Sequence, residues 1–136
     1  MTTLDKNYDP TKDKDYMSEM MLEYFKQQLL EWRQQLKDEA AATIKELKDN
    51  SAFEADPSDQ ASLEYGQAVE LRTRDRERKL ITKIDEAIDR IEDGDFGYCT
   101  ETDEPIGVKR LMARPIATLC IEAKEAQEKE EKDYAK

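Results

Sequence analysis

Apolar residues at Leu22, Phe25, Leu29, Trp32 and Leu36, spaced three, four, three and four apart, set the first limit on what this chain can become. That spacing keeps one face of an α-helix apolar, and Ala40, Ile44 and Leu47 continue the stripe approximately. A helix with a heptad-like seam is therefore expected over roughly residues 17–50. A second helical pattern, about 60–93, ends in Ile81, Ile84, Ile88 and Ile91, and Gly94 is a natural stop. Between them DNSAFEADPSDQAS, residues 49–62, concentrates Asp, Asn, Ser and Pro, and Pro57 disfavours helix at Asp56. Two helices of similar length joined by a short loop should fold back as an antiparallel pair. At about 1.5 Å per residue, each would be on the order of 50 Å long.

The composition suits such a shape. Of 136 residues, 40% are charged and 38% hydrophobic, which favours exposed helices with a narrow seam over one round core. A net charge of −11 makes generic binding to duplex DNA through a basic face a poor expectation. No apolar run approaches the roughly 18–20 residues that span a bilayer, and MTTLDKNYDPTKDKDY lacks the apolar core of a secretory signal. A cytoplasmic protein with reduced thiols is expected. The chain has no histidine, which closes off Ser-His and Cys-His nucleophilic catalysis. No enzyme is expected.

The fold class read from these patterns is mainly α. A flexible tail covers 1–16, and a long antiparallel two-helix coiled coil covers 17–93 with its tip loop at about 50–60. A small degenerate zinc-ribbon-like module covers 94–123, and a C-terminal helix covers 124–136. Within the second helix, RTRDRERK carries five bases and two acids. It reads either as a solvated face with i,i+4 ion pairs or as a docking strip for an acidic partner. In the module, Cys99 and Cys120 stand where each pair of a C-x2-C…C-x2-C zinc site would begin, but Thr102 and Ala123 occupy the partner positions. Structural zinc takes four ligands, usually Cys or His, so no bound metal is expected. Zinc supplies on the order of 10–16 kcal/mol in finger peptides. Phe96, Tyr98, Ile106, Leu111, Ile116, Leu119 and Ile121, at roughly 1.5–3 kcal/mol each when buried, offer a comparable gross sum. Gly97 and Gly107 suit turns between short strands. The two cysteines read as small buried thiols, with a redox pair as the alternative.

ADPSDQAS at the loop, ELRTRDRERKLITKID along the second helix and FGYC…EPIGVKRLMARPIATLCIEA in the module together resemble the DksA/TraR family of bacterial transcription factors, in particular members without a complete four-cysteine set. The resemblance covers nearly everything after the tail. It implies direct binding to RNA polymerase through the secondary channel, with no sequence-specific DNA contact and no membrane association. It further implies that the alarmone ppGpp, as effector and not as a resident cofactor, helps to alter open-complex stability at ribosomal RNA and biosynthetic promoters in the stringent response. Asp56, Asp59 and Ala61 match the family's active-centre tip. Arg76 and Lys83 match polymerase-binding positions, and Leu80, Lys83, Arg114 and Lys124 match the ppGpp set. Thr73 departs from the family's Asn. Read from the residues alone, Asp56 and Asp59 are equally turn and cap residues, and a weak Mg²⁺ site is a remote third reading. A monomeric regulator working without zinc is the expectation. The alternative is a structural coiled-coil adaptor that self-associates or tethers another protein.

Overall fold

A computed structural model of the chain describes residues 4–53 and 60–134, with the side chains of 50–53 left aside. Among the described residues, four α-helices follow a single 3₁₀ turn at Pro10–Lys12: α1 at Glu19–Phe53, α2 at Gln60–Asp93, α3 at Val108–Ala113 and α4 at Ile121–Tyr134. The chain divides into two compact units. One comprises residues 1–29 with 86–136, and the other comprises residues 30–85.

In the unit of residues 30–85, α1 and α2 run antiparallel. Arg33 meets Asp85 at 3.4 Å. Further along, Leu36, Ala40 and Thr43 share a groove with Thr73, Arg76 and Glu77, so rising numbers on α1 face falling numbers on α2. The interior is as thin as the 40% charge content implies, with Ala40, Ile44 and Ile84 its buried apolar side chains among the described residues. Trp32 and Leu36, expected in the seam, are half-buried.

The other unit holds the denser core, with Met21, Phe25, Leu29, Phe96, Cys99, Ile106, Leu111, Ile116 and Cys120 all buried. Met21 takes the inner position that the spacing gave to Leu22, because 21, 25 and 29 stack on one face at successive turns. Phe25 and Phe96 pack with ring centroids 5.5 Å apart. Helix α2 ends in a Schellman arrangement. Gly94 adopts φ 82°, its N–H bonds the Ile91 carbonyl at 3.3 Å, and the Asp95 N–H bonds the Arg90 carbonyl at 2.9 Å. The short strands expected here reduce to one antiparallel bridge, Tyr98 to Pro105, among the described residues. Ile121, expected inside, is 56% exposed. It follows the buried Cys120 as the first residue of α4, and a helical step turns it away from the core.

Residues 4–16 differ from the loose tail expected of them. Met17 adopts φ 56°, and Ser18 opens α1 by accepting the Met21 N–H on its hydroxyl at 3.2 Å. Both the Tyr8 and Ser18 hydroxyls donate to Asp13 at 2.6 Å. These bonds, with the Asp15 backbone N–H, hold the Asp13 carboxyl below its ordinary value. Burial, reinforced by Asp13, raises the Tyr8 phenol to about 12. Tyr16 reaches across the unit, where its hydroxyl donates to the Gly97 carbonyl at 2.6 Å and accepts the Gly107 N–H at 2.9 Å. A Cβ on Gly97 would lie 2.6 Å from the Met17 sulfur, and φ there is 93°, so only glycine fits under this strap. The 3₁₀ turn packs on α3. No periodic pattern announces these contacts, since they are single side-chain bonds, some within the segment and those of Tyr16 to backbone groups far away in sequence.

Candidate functional site

Backbone hydrogen bonds link the segments of the module that carry the two cysteines. Loop 95–106 is tied by Cys99 N–H to the Glu104 carbonyl at 2.7 Å, Asp103 N–H to the Cys99 carbonyl at 2.9 Å, and Ile106 N–H to the Gly97 carbonyl at 2.8 Å. The second cysteine segment joins through Thr100 N–H to the Thr118 carbonyl at 2.9 Å. Two arginines add braces. Arg90 donates to the carbonyls of Asp95 and Tyr98, at 3.1 and 2.8 Å, and Arg110 donates to that of Leu119 at 2.9 Å.

Cys99 and Cys120 are both buried and free of any disulfide. The Thr102 hydroxyl lies 3.8 Å from the Cys120 sulfur. Burial raises the Cys99 thiol, but hydrogen bonds from Thr102 and from the backbone N–H groups of Cys120, Glu101 and Thr102 outweigh it and bring the thiol from 9.0 down to about 6. Tested against a four-ligand zinc site, the donor set does not fit. The Ala123 side chain offers no ligand, the chain has no histidine, and among the described residues no cluster of three or more His, Cys, Asp or Glu could hold a metal ion.

The lowered thiol has a consequence for pH. Between about pH 6 and 9 the unfolded chain keeps a Cys99 proton that the folded chain has released, so stability should rise with pH across that window. The contribution is present above about 9 and lost as pH falls through about 6. Denaturation midpoints measured across this range should rise more in the parent protein than in Cys99→Ser. Parallel profiles would show that the thiol keeps its proton in the fold.

On α2 the basic stretch separates into two sets. Arg74 is tied to Glu70 at 3.0 Å, while Arg78 and Lys79 both bind Asp75, at 2.7 and 3.0 Å. The two bases and their hydrogen bonds hold the Asp75 carboxyl below its ordinary value. These are exposed i,i+3 and i,i+4 pairs that contribute little to stability. Arg72 and Arg76 have no such partner among the described residues, and they line a hollow with Asp75, Lys79 and Leu80. The ion-paired reading of RTRDRERK therefore describes Arg74, Arg78 and Lys79, and Arg72 and Arg76 lie outside it. Lys83 is exposed one turn beyond Lys79, and Thr73 is half-buried.

The remaining predicted residues are placed as follows. Leu80 and Lys83 belong to the unit of residues 30–85, and Arg114 and Lys124 to the other. Arg114 ends α3, exposed, with its N–H on the Arg110 carbonyl at 2.8 Å. The half-buried Lys124 makes no ion pair with Glu122 or Glu125; its ammonium lies 3.5 Å from Gln127 Oε1. Ala61 is exposed in the first turn of α2. Asp56 and Asp59 lie outside the described residues.

An antiparallel helical pair combined with a zinc-finger-like module that lacks two ligands defines a narrow class. Residues 21–91 match the family model described as DnaK suppressor protein DksA, N-terminal domain, and residues 94–129 match the prokaryotic DksA/TraR C4-type zinc finger. The chain belongs to the DksA/TraR family. It is 50% identical over 126 residues to the RNA polymerase-binding transcription factor DksA of Caulobacter vibrioides (strain NA1000 / CB15N), across 93% of this chain and 89% of that one. With the protein of the same name from Escherichia coli (strain K12) it shares 44% identity over 128 residues, 94% of this chain and 85% of that one. The solved structure of transcription factor DksA2 from Pseudomonas aeruginosa matches at a TM-score of 0.79 and 48% identity, covering 88% of this chain and 92% of that one. These relatives are named as transcription factors. Among the described residues, no helix is long and apolar enough to cross a membrane.

Proposed function

We propose that this chain regulates transcription as a monomer that binds RNA polymerase through its secondary channel. The observation that carries the reading is the match to named RNA polymerase-binding factors over more than nine-tenths of the chain. Arg72 and Arg76, without partners on their own helix, supply cations for acidic groups of the polymerase, and Lys83 adds a third. The antiparallel helices carry Asp56 and Asp59 toward the polymerase active centre, where short-range charge and hydrogen bonding bias elements that move during catalysis. No base or nucleophile is needed for this, and no sequence-specific DNA contact.

With ppGpp, the protein shortens the life of open complexes at ribosomal RNA promoters and favours biosynthetic ones. Lys83, Arg114 and Lys124 supply cations for the alarmone's phosphates, Arg as a bidentate fork and Lys as point charges, beside the apolar Leu80. It acts without zinc. What supports this is the unsuitable donor set and the bonds that Thr102 and the backbone direct at the Cys99 sulfur, with the Thr102 hydroxyl 3.8 Å from the Cys120 sulfur.

In vitro transcription from a ribosomal RNA promoter in the presence of a chelator tests the reading. Inhibition is expected to persist, and to deepen with ppGpp. Lys124→Ala should keep the basal inhibition and lose the ppGpp increment, while an unaltered response would remove Lys124 from the effector site. A chain that fails to bind core polymerase in a pull-down and sediments as a multimer is instead a coiled-coil adaptor.

A further inference from the structure

Within the unit of residues 30–85, an open groove of about 490 Å³ lies between the two long helices. Its walls carry Lys37, Lys45 and Lys48 from α1, and Arg74 from α2; Ala41 and Ile44 lie between the lysines. Two carboxylates, Asp49 and Glu77, also line it, so the cations outnumber them in a protein whose net charge is −11. The three lysines are exposed and have no ion-pair partner among the described residues. Arg74 is already engaged, with both Nε and Nη2 on Glu70, at 3.2 and 3.0 Å.

We propose that this groove is a track for the phosphate backbone of a single-stranded nucleic acid. Lys37 to Lys48 spans eleven helical residues, about 16 Å at 1.5 Å per residue. A line of cations of that length fits several successive phosphates of a strand better than one compact nucleotide. The free cations are all lysines, point charges that accept a tetrahedral phosphate from many directions. A planar carboxylate is matched best by an arginine fork, and the one arginine here is held by Glu70, which disfavours an acidic peptide. Ala41 leaves room for the backbone to approach, and among the described residues no aromatic side chain lines the groove to stack bases. The track therefore reads charge and not sequence. It stands apart from the polymerase reading, since it needs only this unit of the fold.

The test is fluorescence anisotropy of the full chain with a labelled eight-nucleotide uridine RNA and its DNA equivalent. With three phosphates neutralised, log–log affinity should fall with salt at a slope near about −2, or about 15-fold between 50 and 200 mM. Lys37→Gln/Lys45→Gln/Lys48→Gln should lose most of this binding and flatten the slope. Lys109→Gln/Lys129→Gln/Lys132→Gln lowers the net charge equally on α3 and α4 and should retain both. Comparable binding of RNA and DNA supports a backbone track, and preference for RNA adds a 2′-hydroxyl contact to it. The proposal is overturned if the two triple variants behave alike, if no strand binds at low salt, or if oligoglutamate of equal charge competes as well as RNA.

Discussion

Asp59→Asn is expected to leave binding to RNA polymerase largely intact and to abolish inhibition of a ribosomal RNA promoter. The substitution removes one negative charge and keeps the size and shape of the side chain. Asn caps a helix about as well as Asp, so any loss of function cannot be assigned to a frayed start of α2. What disappears is the charge-assisted hydrogen bonding that a carboxylate offers to a moving enzyme element. Affinity should change little because Arg76 and Lys83, the bases proposed to seat the helical pair, are untouched. The two readouts are retention on immobilised core polymerase and open-complex lifetime. Full inhibition by the variant would mean that Asp59 serves only the turn, and the regulatory action would then have to lie elsewhere on the chain.

The parts of this fold that periodicity encodes were legible in the sequence. Three-four spacing announces α1 and α2, and Gly94 ends α2 with the left-handed φ that such a stop requires. What periodicity cannot encode is which of two adjacent apolar residues turns inward, so Met21 displaced Leu22. It is also silent about Tyr16, whose hydroxyl joins backbone groups 81 and 91 residues away. In the basic stretch the sequence offers Arg72, Arg78 and Lys79 the same acid, Asp75, and offers Arg76 none at three or four residues. Geometry decides that Asp75 takes both Arg78 and Lys79, which leaves Arg72 without it. The Arg90 brace was foreshadowed only by a base in the last helical turn, which serves the helix dipole equally well. The cysteine positions were legible as an incomplete ligand set, whereas the hydrogen bonds that lower the Cys99 thiol depend on loop conformation and were not.

Phe25→Ala should strongly destabilise the unit that contains the module, while chelation should leave its stability unchanged. Phe25 is fully buried, its ring 5.5 Å from that of Phe96 and 5.3 Å from that of Tyr24. Removing a buried phenyl group costs about 3–5 kcal/mol through lost transfer energy and the cavity left behind. For a unit of this size, at about 4–8 °C per kcal/mol, Tm falls by upwards of about 12 °C. Thermal circular dichroism of the parent chain with and without chelator supplies the comparison, and no shift is expected there. The two measurements have to be read together. In a finger held by metal, chelation would be the larger perturbation, because zinc supplies on the order of 10–16 kcal/mol and one phenyl group far less. In this module the order should reverse: apolar contacts from α1 onto Phe96, with the hydrogen bonds around Cys99 and Cys120, carry the load. A chelator shift as large as that of Phe25→Ala would show a metal bound by ligands other than a four-residue set, and the zinc-free regulator would have to be given up.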